Sequence, residues 1–338
     1  MNRKSGLWLL PAIALTAAWF VPTPYYLYQP GTMEELSAKV EVEGGDRPEG
    51  REGFYLTTVL SLKASNVFYY IYGLLAPDTE LRAEEDVLGD LSAKEYDALL
   101  RHMMSASQAT AVHAGFALAD EPIRVEREGL FVTWVEPESG AAGKLRVGDL
   151  IVEAGGAAAT TLEQVRSAYA GGQAGDAVDI VFLREGKRQA ASVPLYADAD
   201  GDVRLGIEAE EALRVATDRR VVWRADDIGG PSAGLMFALE VYDQATPGRL
   251  TRGYRVAGTG TMDMEGEVGQ IGGIRQKVVA AAREGADVFF VPADVQADDR
   301  NAAEALAEAA ARGYTLDVVP VRTLAEAVAY LSGLPERP

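Results

Sequence analysis

Residues 227–237 of this chain read Asp-Ile-Gly-Gly-Pro-Ser-Ala-Gly-Leu-Met-Phe, a glycine turn that leads into an apolar helix. Pro231 suits a first helical turn, where a backbone N–H has no partner in any case. Leu235 and Leu239 follow Ser232 at helical spacing, so we expect Ser232 at the head of the buried helix face. Free backbone N–H groups and the positive end of the helix dipole gather there, and they can stabilise a negatively charged oxygen.

A serine needs a base before it becomes a nucleophile, and Lys277 is the candidate base. It lies in Gly-Gly-Ile-Arg-Gln-Lys-Val-Val-Ala-Ala, residues 272–281, where two glycines precede a predicted helix. Ile274, Val278 and Ala281 share one face of that helix with it, and the face is otherwise apolar. Burial lowers the pKa of a lysine because it disfavours the charged form. A neutral lysine can take the proton of a serine hydroxyl near neutral pH.

Each half of this pattern is a weak signal alone, because such turns are often structural and helical lysines usually keep their amine in water. The two halves lie 277 − 232 = 45 positions apart, with Val-Ala-Gly-Thr-Gly-Thr, residues 256–261, between them. The combination resembles the proteolytic domain of Lon-type proteases. The resemblance implies a catalytic dyad of Ser232 and Lys277. It also implies supporting roles for Gly230 in the turn and for Thr259, which would help to hold the lysine.

A second module is predicted over residues 122–198. It contains Gly129-Leu130-Phe131 before a strand, the turn Gly148-Asp149, a helix over residues 161–170 and a strand over residues 177–184. These features resemble a bacterial PDZ domain, a β-rich, partly open barrel. The resemblance implies that residues 129–131 form the loop that binds a peptide's terminal carboxylate, with the peptide added as a strand. The alternative is a PDZ-like spacer that captures no peptide.

The N-terminus is basic through Arg3 and Lys4, and residues 7–21 are apolar without a charge. We predict an uncleaved membrane anchor over residues 1–28, with aromatic side chains at the interfaces, rather than a cleaved signal peptide. The basic residues place the N-terminus in the cytoplasm and the remainder of the chain outside it. The predicted location is thus the cell membrane, with a single span and an extracytoplasmic catalytic part.

Residues 29–121 carry a β-rich stretch from residue 53 and a predicted helix over residues 92–119, which Ser92 and Glu95 can cap. A strand followed by such a helix looks like the first part of a Lon-type domain. We therefore expect this segment to pack with residues 199–338, with the PDZ module inserted between them; the alternative is an independent cap. The predicted fold class is α+β, a Lon-type protease domain with an inserted PDZ domain and an N-terminal transmembrane helix.

The composition and the missing motifs argue against several classes of partner and cofactor. A formal net charge of −19 argues against nucleic acid as a partner, because phosphates would be repelled. Cysteine is absent and only His102 and His113 are present, so neither a metal nor another cofactor is expected. The sequence contains no Gly-x-x-x-x-Gly-Lys-[Ser/Thr] loop for nucleotide phosphates.

The sequence as a whole resembles membrane-anchored proteins that join a PDZ domain to a Lon-type protease domain without an ATPase. The resemblance implies an ATP-independent serine endopeptidase that acts on protein or peptide substrates, and a ring-shaped homo-oligomer. Two alternatives to the endopeptidase stay open at this point. In the first, the chain is a peptide-binding scaffold with little proteolytic activity; in the second, it is a regulatory protein that cleaves itself.

Overall fold

The computed structural model describes residues 15–46, 50–225 and 228–337, and it begins with a helical stretch at residues 15–19. The other helices of the described part are α1 (Val67–Leu75), α2 (Glu84–Leu88), α3 (Ala93–Leu118), α4 (Leu162–Ala168), α5 (Gly234–Ala245), α6 (Ile274–Arg283), α7 (Asn301–Arg312) and α8 (Leu324–Ser332).

The strands fall into two large sheets and several two-stranded ribbons. They are β1 (Tyr25–Glu35), β2 (Val40–Val42), β3 (Gly53–Lys63), β4 (Glu80–Ala83), β5 (Ile123–Val135), β6 (Leu150–Ala154), β7 (Ala157–Ala158), β8 (Ala177–Arg184), β9 (Lys187–Pro194), β10 (Tyr196–Ala197), β11 (Val203–Arg204), β12 (Ile207–Thr217), β13 (Val221–Trp223), β14 (Arg255–Gly258), β15 (Thr261–Met262), β16 (Val268–Gly269), β17 (Val288–Pro292) and β18 (Asp317–Val321).

The first large sheet joins the two ends of the chain in the order β18-β17-β14-β3-β1-β4. β14 pairs in parallel with both β17 and β3, so that Val256 lies opposite Phe54. β1 is antiparallel to β3 and to β4. The N-terminal segment thus supplies strands to the same sheet as the segment that carries Ser232 and Lys277.

Helices α3 and α5 pack together on this sheet and share its main hydrophobic core. α3 begins where the sequence predicts, because Ser92 accepts a hydrogen bond from the Glu95 N–H while Glu95 accepts one from the Ser92 N–H. α5 is buried through most of its length, with Phe237 fully enclosed. Fully buried aromatic side chains such as Phe237 and Phe290 contribute a large apolar area to this core.

The second large sheet has the order β12-β5-β6-β8-β9, with β7 paired to β6, and it encloses a separate hydrophobic core with α4. Asp149 is fully buried and accepts hydrogen bonds from the Arg184 guanidinium, with Nη2 to Oδ2 at 2.7 Å and Nε to Oδ1 at 2.8 Å. A buried carboxylate is tolerated because this fork of donors satisfies it.

The predicted membrane anchor lies largely outside the described residues, since residues 1–14 are not among them. Within the ranges that the structure describes, no helix has both the length and the apolar character needed to cross a bilayer. Residues 25–28 belong to strand β1. The expectation that the anchor extends to residue 28 is therefore wrong at its C-terminal end, because these tyrosine-rich residues pair with β3 and β4.

Candidate active site

Ser232 lies in the turn formed by residues 228–233, which we call the serine turn. α5 begins at Gly234, so Ser232 precedes the helix by two residues and Pro231 lies in the turn rather than in the first helical turn. Gly230 has a backbone φ of +87°, a conformation that glycine adopts without the strain imposed by a Cβ atom. The turn therefore reverses the chain at Gly230 and presents a half-buried Ser232 beside the start of α5.

Helix α3 holds the serine turn from one side. The Gly230 N–H donates to the Leu100 carbonyl at 3.2 Å, and the Ser107 hydroxyl donates to the Pro231 carbonyl at 3.2 Å. Ser107 is itself buried, so its hydrogen bond is shielded from water. The turn is consequently fixed at the two residues that precede Ser232.

The loop after β14 holds the turn from the other side. The Thr259 hydroxyl and the Gly260 N–H both donate to the Ser232 carbonyl at 2.9 Å. The sequence predicts that Thr259 helps to hold Lys277, whereas its hydroxyl lies against the main chain of Ser232. Thr259 therefore fixes the backbone at Ser232.

Lys277 extends from the first turn of α6 towards the serine turn. Its Nζ lies 2.9 Å from Ser232 Oγ and 3.0 Å from the Thr57 carbonyl, to which it donates. The lysine side chain is buried, and burial lowers its pKa from 10.5 to about 7. The structure thus brings together the two residues that the sequence selects, with an amine that can be neutral near pH 7.

Thr57 belongs to the site but to none of the sequence motifs. It lies in β3, 220 residues from Lys277, and acts through its main-chain carbonyl rather than its side chain. A carbonyl is common to every residue, so no residue type could have marked the position. The packing of α6 on β3 brings this carbonyl to the lysine.

Two amide N–H groups are available beside Ser232 Oγ. Within the described residues, the N–H groups of Ser232 and Ala233 have no hydrogen-bond acceptor, whereas the Leu235 N–H donates to the Gly260 carbonyl. Unpaired donors at the start of a helix can stabilise the negative oxygen that forms when a carbonyl is attacked. The site therefore contains a serine hydroxyl, a buried amine beside it and candidate donors to an oxyanion.

The PDZ-like part departs from the sequence expectation. Gly129, Leu130 and Phe131 form no loop; they lie within the continuous strand β5. Leu130 is fully buried in the core, and the Phe131 ring stacks on His102 of α3 at 3.8 Å between centroids. The residues form a strand rather than the expected loop, because β12 pairs with β5 across all three of them. Their binding of a peptide's terminal carboxylate stays a prediction.

Neither histidine belongs to the site. His102 also faces Glu210 at 3.6 Å, and burial lowers the pKa of its imidazole. A ring nitrogen of His113 lies 2.9 Å from the Met264 carbonyl. Among the described residues, no group of three histidine, aspartate or glutamate side chains is arranged to hold a metal ion.

Comparison with known proteins finds the two kinds of domain that the sequence resembles, a PDZ domain and a Lon-type proteolytic domain. The family model for the PDZ domain matches residues 112–195, and the one for the Lon protease (S16) C-terminal proteolytic domain matches residues 225–330. The Lon protease of Mycolicibacterium smegmatis is 36% identical over 100 residues, which are 30% of this chain and 12% of the relative. Lon protease 1 of Herpetosiphon aurantiacus is 36% identical over 138 residues, 40% of this chain and 16% of the relative.

A solved PDZ domain, from the SdrC-like protein of Listeria innocua, is 31% identical and covers 24% of this chain and 93% of its own, with a TM-score of 0.23. The chain carries a PDZ domain and a proteolytic domain homologous to the C-terminal domain of Lon proteases. The chain spans between 11% and 16% of the length of the Lon proteases that it matches. The homology supports a peptidase of the serine type.

Proposed function

We propose that the chain is an ATP-independent serine endopeptidase whose nucleophile is Ser232 and whose general base is Lys277. The observation that carries the proposal is the 2.9 Å separation of Ser232 Oγ and Lys277 Nζ, with a buried lysine of lowered pKa. No acidic partner is needed, because burial alone favours the neutral amine.

In the proposed reaction, neutral Lys277 accepts the hydroxyl proton while Ser232 Oγ attacks the carbonyl carbon of the scissile peptide. The N–H groups of Ser232 and Ala233 donate to the resulting oxyanion. The lysine ammonium then returns its proton to the leaving amine as the C–N bond breaks, which leaves an ester on Ser232. A water molecule, deprotonated by Lys277, hydrolyses this ester and releases the carboxylic acid product.

The proposed substrates are unfolded or flexible proteins and exposed peptide segments. The sequence carries no phosphate-binding loop of the usual kind, so we assign it no ATP-driven unfolding step. In this proposal the PDZ domain recruits or positions substrates. Strand β12 already pairs with the edge of its sheet, so a substrate that adds at that edge has to displace β12.

Cleavage of casein by the full chain in detergent, without ATP, tests the dyad. Ser232→Ala and Lys277→Ala should each lower the rate at least about a thousandfold, because nucleophile and base act as one unit. Ser167→Ala and Lys187→Ala remove the same side-chain types at exposed positions and should cleave at the wild-type rate.

The same experiment separates the alternatives. Intact casein with every variant would contradict the endopeptidase and support a scaffold. Intact casein together with a Ser232-dependent cut in the chain itself would instead support a protein that processes only itself.

We further propose that the N-terminal stretch anchors the chain in the cell membrane with the catalytic part outside the cytoplasm, and that the chains assemble into a ring. The chain contains no cysteine, so a single Ala303→Cys substitution in α7 can report on topology in intact cells. Labelling by a membrane-impermeant maleimide is expected, and its failure would contradict the orientation. Sedimentation of the full chain in detergent tests the ring, and a monomeric chain would contradict it.

A further inference from the structure

The edge of the PDZ sheet is occupied by a strand from outside the PDZ domain. β12 runs antiparallel to β5 from Ile207, opposite Val135, to Thr217, opposite Ile123. The other edge of β5 pairs with β6. The match to the PDZ family ends at residue 195, so β12 follows the matched domain and is added to its sheet by the same chain.

The position of β12 is the one where a PDZ domain adds a peptide, at a strand edge beside a helix. β12 contacts α4 as well as β5. A cleft of about 320 Å³ remains where β12 begins, and it is lined by Leu130 and Trp134 of β5, Leu162 and Val165 of α4, and Ile207 of β12. β12 therefore occupies the strand edge that a peptide would use, and an open cleft remains beside its first residues.

The two halves of β12 belong to different cores. Ile207 and Ala209 pack against the PDZ core, whereas Val215 packs against the core of the protease domain. An irregularity in the pairing with β5 lies between Ala212 and Leu213, which separates the halves. Such a bulge locally disrupts the ladder, so the first half can leave the groove while the second stays in place.

The first half of β12 is poorly suited to occupy the groove permanently. Residues 207–212 read Ile-Glu-Ala-Glu-Glu-Ala, and alanine and glutamate are depleted in strands. A further register irregularity lies between Glu208 and Ala209. The ion pair of Glu211 with Arg127 on β5 is partly exposed to solvent, where such pairs contribute little.

We propose that residues 207–212 are an internal ligand of the PDZ groove, and that an extended peptide segment binds there only by displacing them. The tether places this ligand at an effective concentration of about millimolar, so a free peptide competes at a disadvantage. The proposal concerns binding alone and does not depend on proteolysis by the dyad.

A fluorescent peptide that copies residues 207–217 is the probe, and its anisotropy reports binding to the full chain. All proteins carry Ser232→Ala, so that the peptide cannot be cleaved. Ala209→Pro removes a main-chain donor and disturbs the first half of β12. The matched control is Ala190→Pro on β9, an exposed position in the strand at the opposite edge of the same sheet.

The Ala209→Pro chain should bind the probe at least about tenfold more tightly than the parent, because less of its groove is occupied by the tethered strand. The Ala190→Pro chain should bind like the parent. Equal affinity of parent and Ala209→Pro would overturn the proposal, and so would the absence of binding to a folded Ala209→Pro chain.

A second measurement avoids destabilising the strand. Trp134 and Glu208 lie opposite each other on β5 and β12, and the chain has no other cysteine to interfere with a Trp134→Cys, Glu208→Cys pair. Oxidation should hold the internal ligand in place and lower probe binding, and reduction should restore it. Undiminished binding to the oxidised chain would mean that the peptide does not use this groove.

Discussion

The lowered pKa of Lys277 comes from burial and not from a charged neighbour. Burial is the cause that lowers its pKa to about 7, and its polar contacts are the Ser232 hydroxyl and the Thr57 carbonyl. A carbonyl accepts a hydrogen bond from either form of the amine without changing its own charge. The lysine can therefore gain and lose a proton during the reaction without breaking an ion pair.

The proteolytic activity of the full chain should rise with pH through about 7 and then level off. The reactive form is the neutral amine, and its population grows as the pH passes the lowered pKa. The measurement is kcat/KM for a casein fragment between about pH 5 and about pH 9, with the melting temperature recorded at each pH. A fall in kcat/KM through pH 7 in a folded protein would contradict a lysine base.

Gly230→Ala should destabilise the chain by about 1 kcal/mol and lower its activity, because alanine is strained at a positive φ. Crowding is not the cause, since the added Cβ would lie 3.8 Å from the nearest atom, Leu100 Cδ2. Gly229→Ala is the matched control: its Cβ would make ordinary contact with Leu100 at 3.5 Å, without a positive φ. Urea unfolding and casein cleavage measure both effects, and equal behaviour of the two variants would refute the argument.

Helix α3 contacts both the serine turn and the PDZ sheet within two helical turns. Its Leu100 carbonyl and Ser107 hydroxyl hold the serine turn, and His102 lies against Phe131 on β5 and Glu210 on β12. Helix α3 therefore connects the PDZ sheet to the serine turn.

Ser107→Ala should lower kcat several-fold while KM stays near the wild-type value. The substitution removes the donor to the Pro231 carbonyl, so the nucleophile is held less firmly, whereas no substrate contact is lost. The midpoint of the pH profile should not move, because Lys277 is unaffected. Ser105→Ala, at an exposed position of the same helix, is the control. An unchanged kcat for Ser107→Ala would show that the hydrogen bond does not position the serine.

Local signals in the sequence predict individual elements well. The α3 start follows from a serine and a glutamate three residues apart, and the structure confirms both hydrogen bonds of that capping box. The sequence has the same pattern at α8, where only half of the capping box forms: Thr323 caps the helix, but the Glu326 carboxylate accepts from the Arg322 N–H. The spacing of Ser232 and Lys277 selects a pair that lies within hydrogen-bond distance, although their catalytic roles stay a prediction.

The features that the sequence misses depend on pairings between distant segments. Residues 129–131 have the composition of a PDZ loop, yet β12 pairs with them and extends the strand. The Thr57 carbonyl reaches Lys277 because α6 packs on β3, although the two residues are 220 positions apart. Residue types reveal neither contact, because each depends on main-chain atoms of a distant segment.

At the scale of the whole molecule, a fragment of residues 199–338 contains Ser232, Lys277 and Thr259 and should still be inactive. It lacks β1, β3 and α3, so β14 loses a neighbouring strand and α5 loses the helix that packs on it. Large apolar side chains such as Phe290 would then lose core partners such as Phe54. Near-ultraviolet circular dichroism should show lost tertiary packing, and casein should stay intact. A folded, active fragment would contradict a shared core.

The pairing of β3 with β14 also sets an order of events on the ribosome. Their first residues lie 255 − 53 = 202 positions apart, so β3 cannot pair with β14 until the residues between them have been synthesised. Strands β5 to β9 are contiguous and can fold during that wait. Thr57 meets Ser232 and Lys277 only when the sheet closes. Before that point, a nascent chain lacks the Thr57 carbonyl contact of the Lys277 amine.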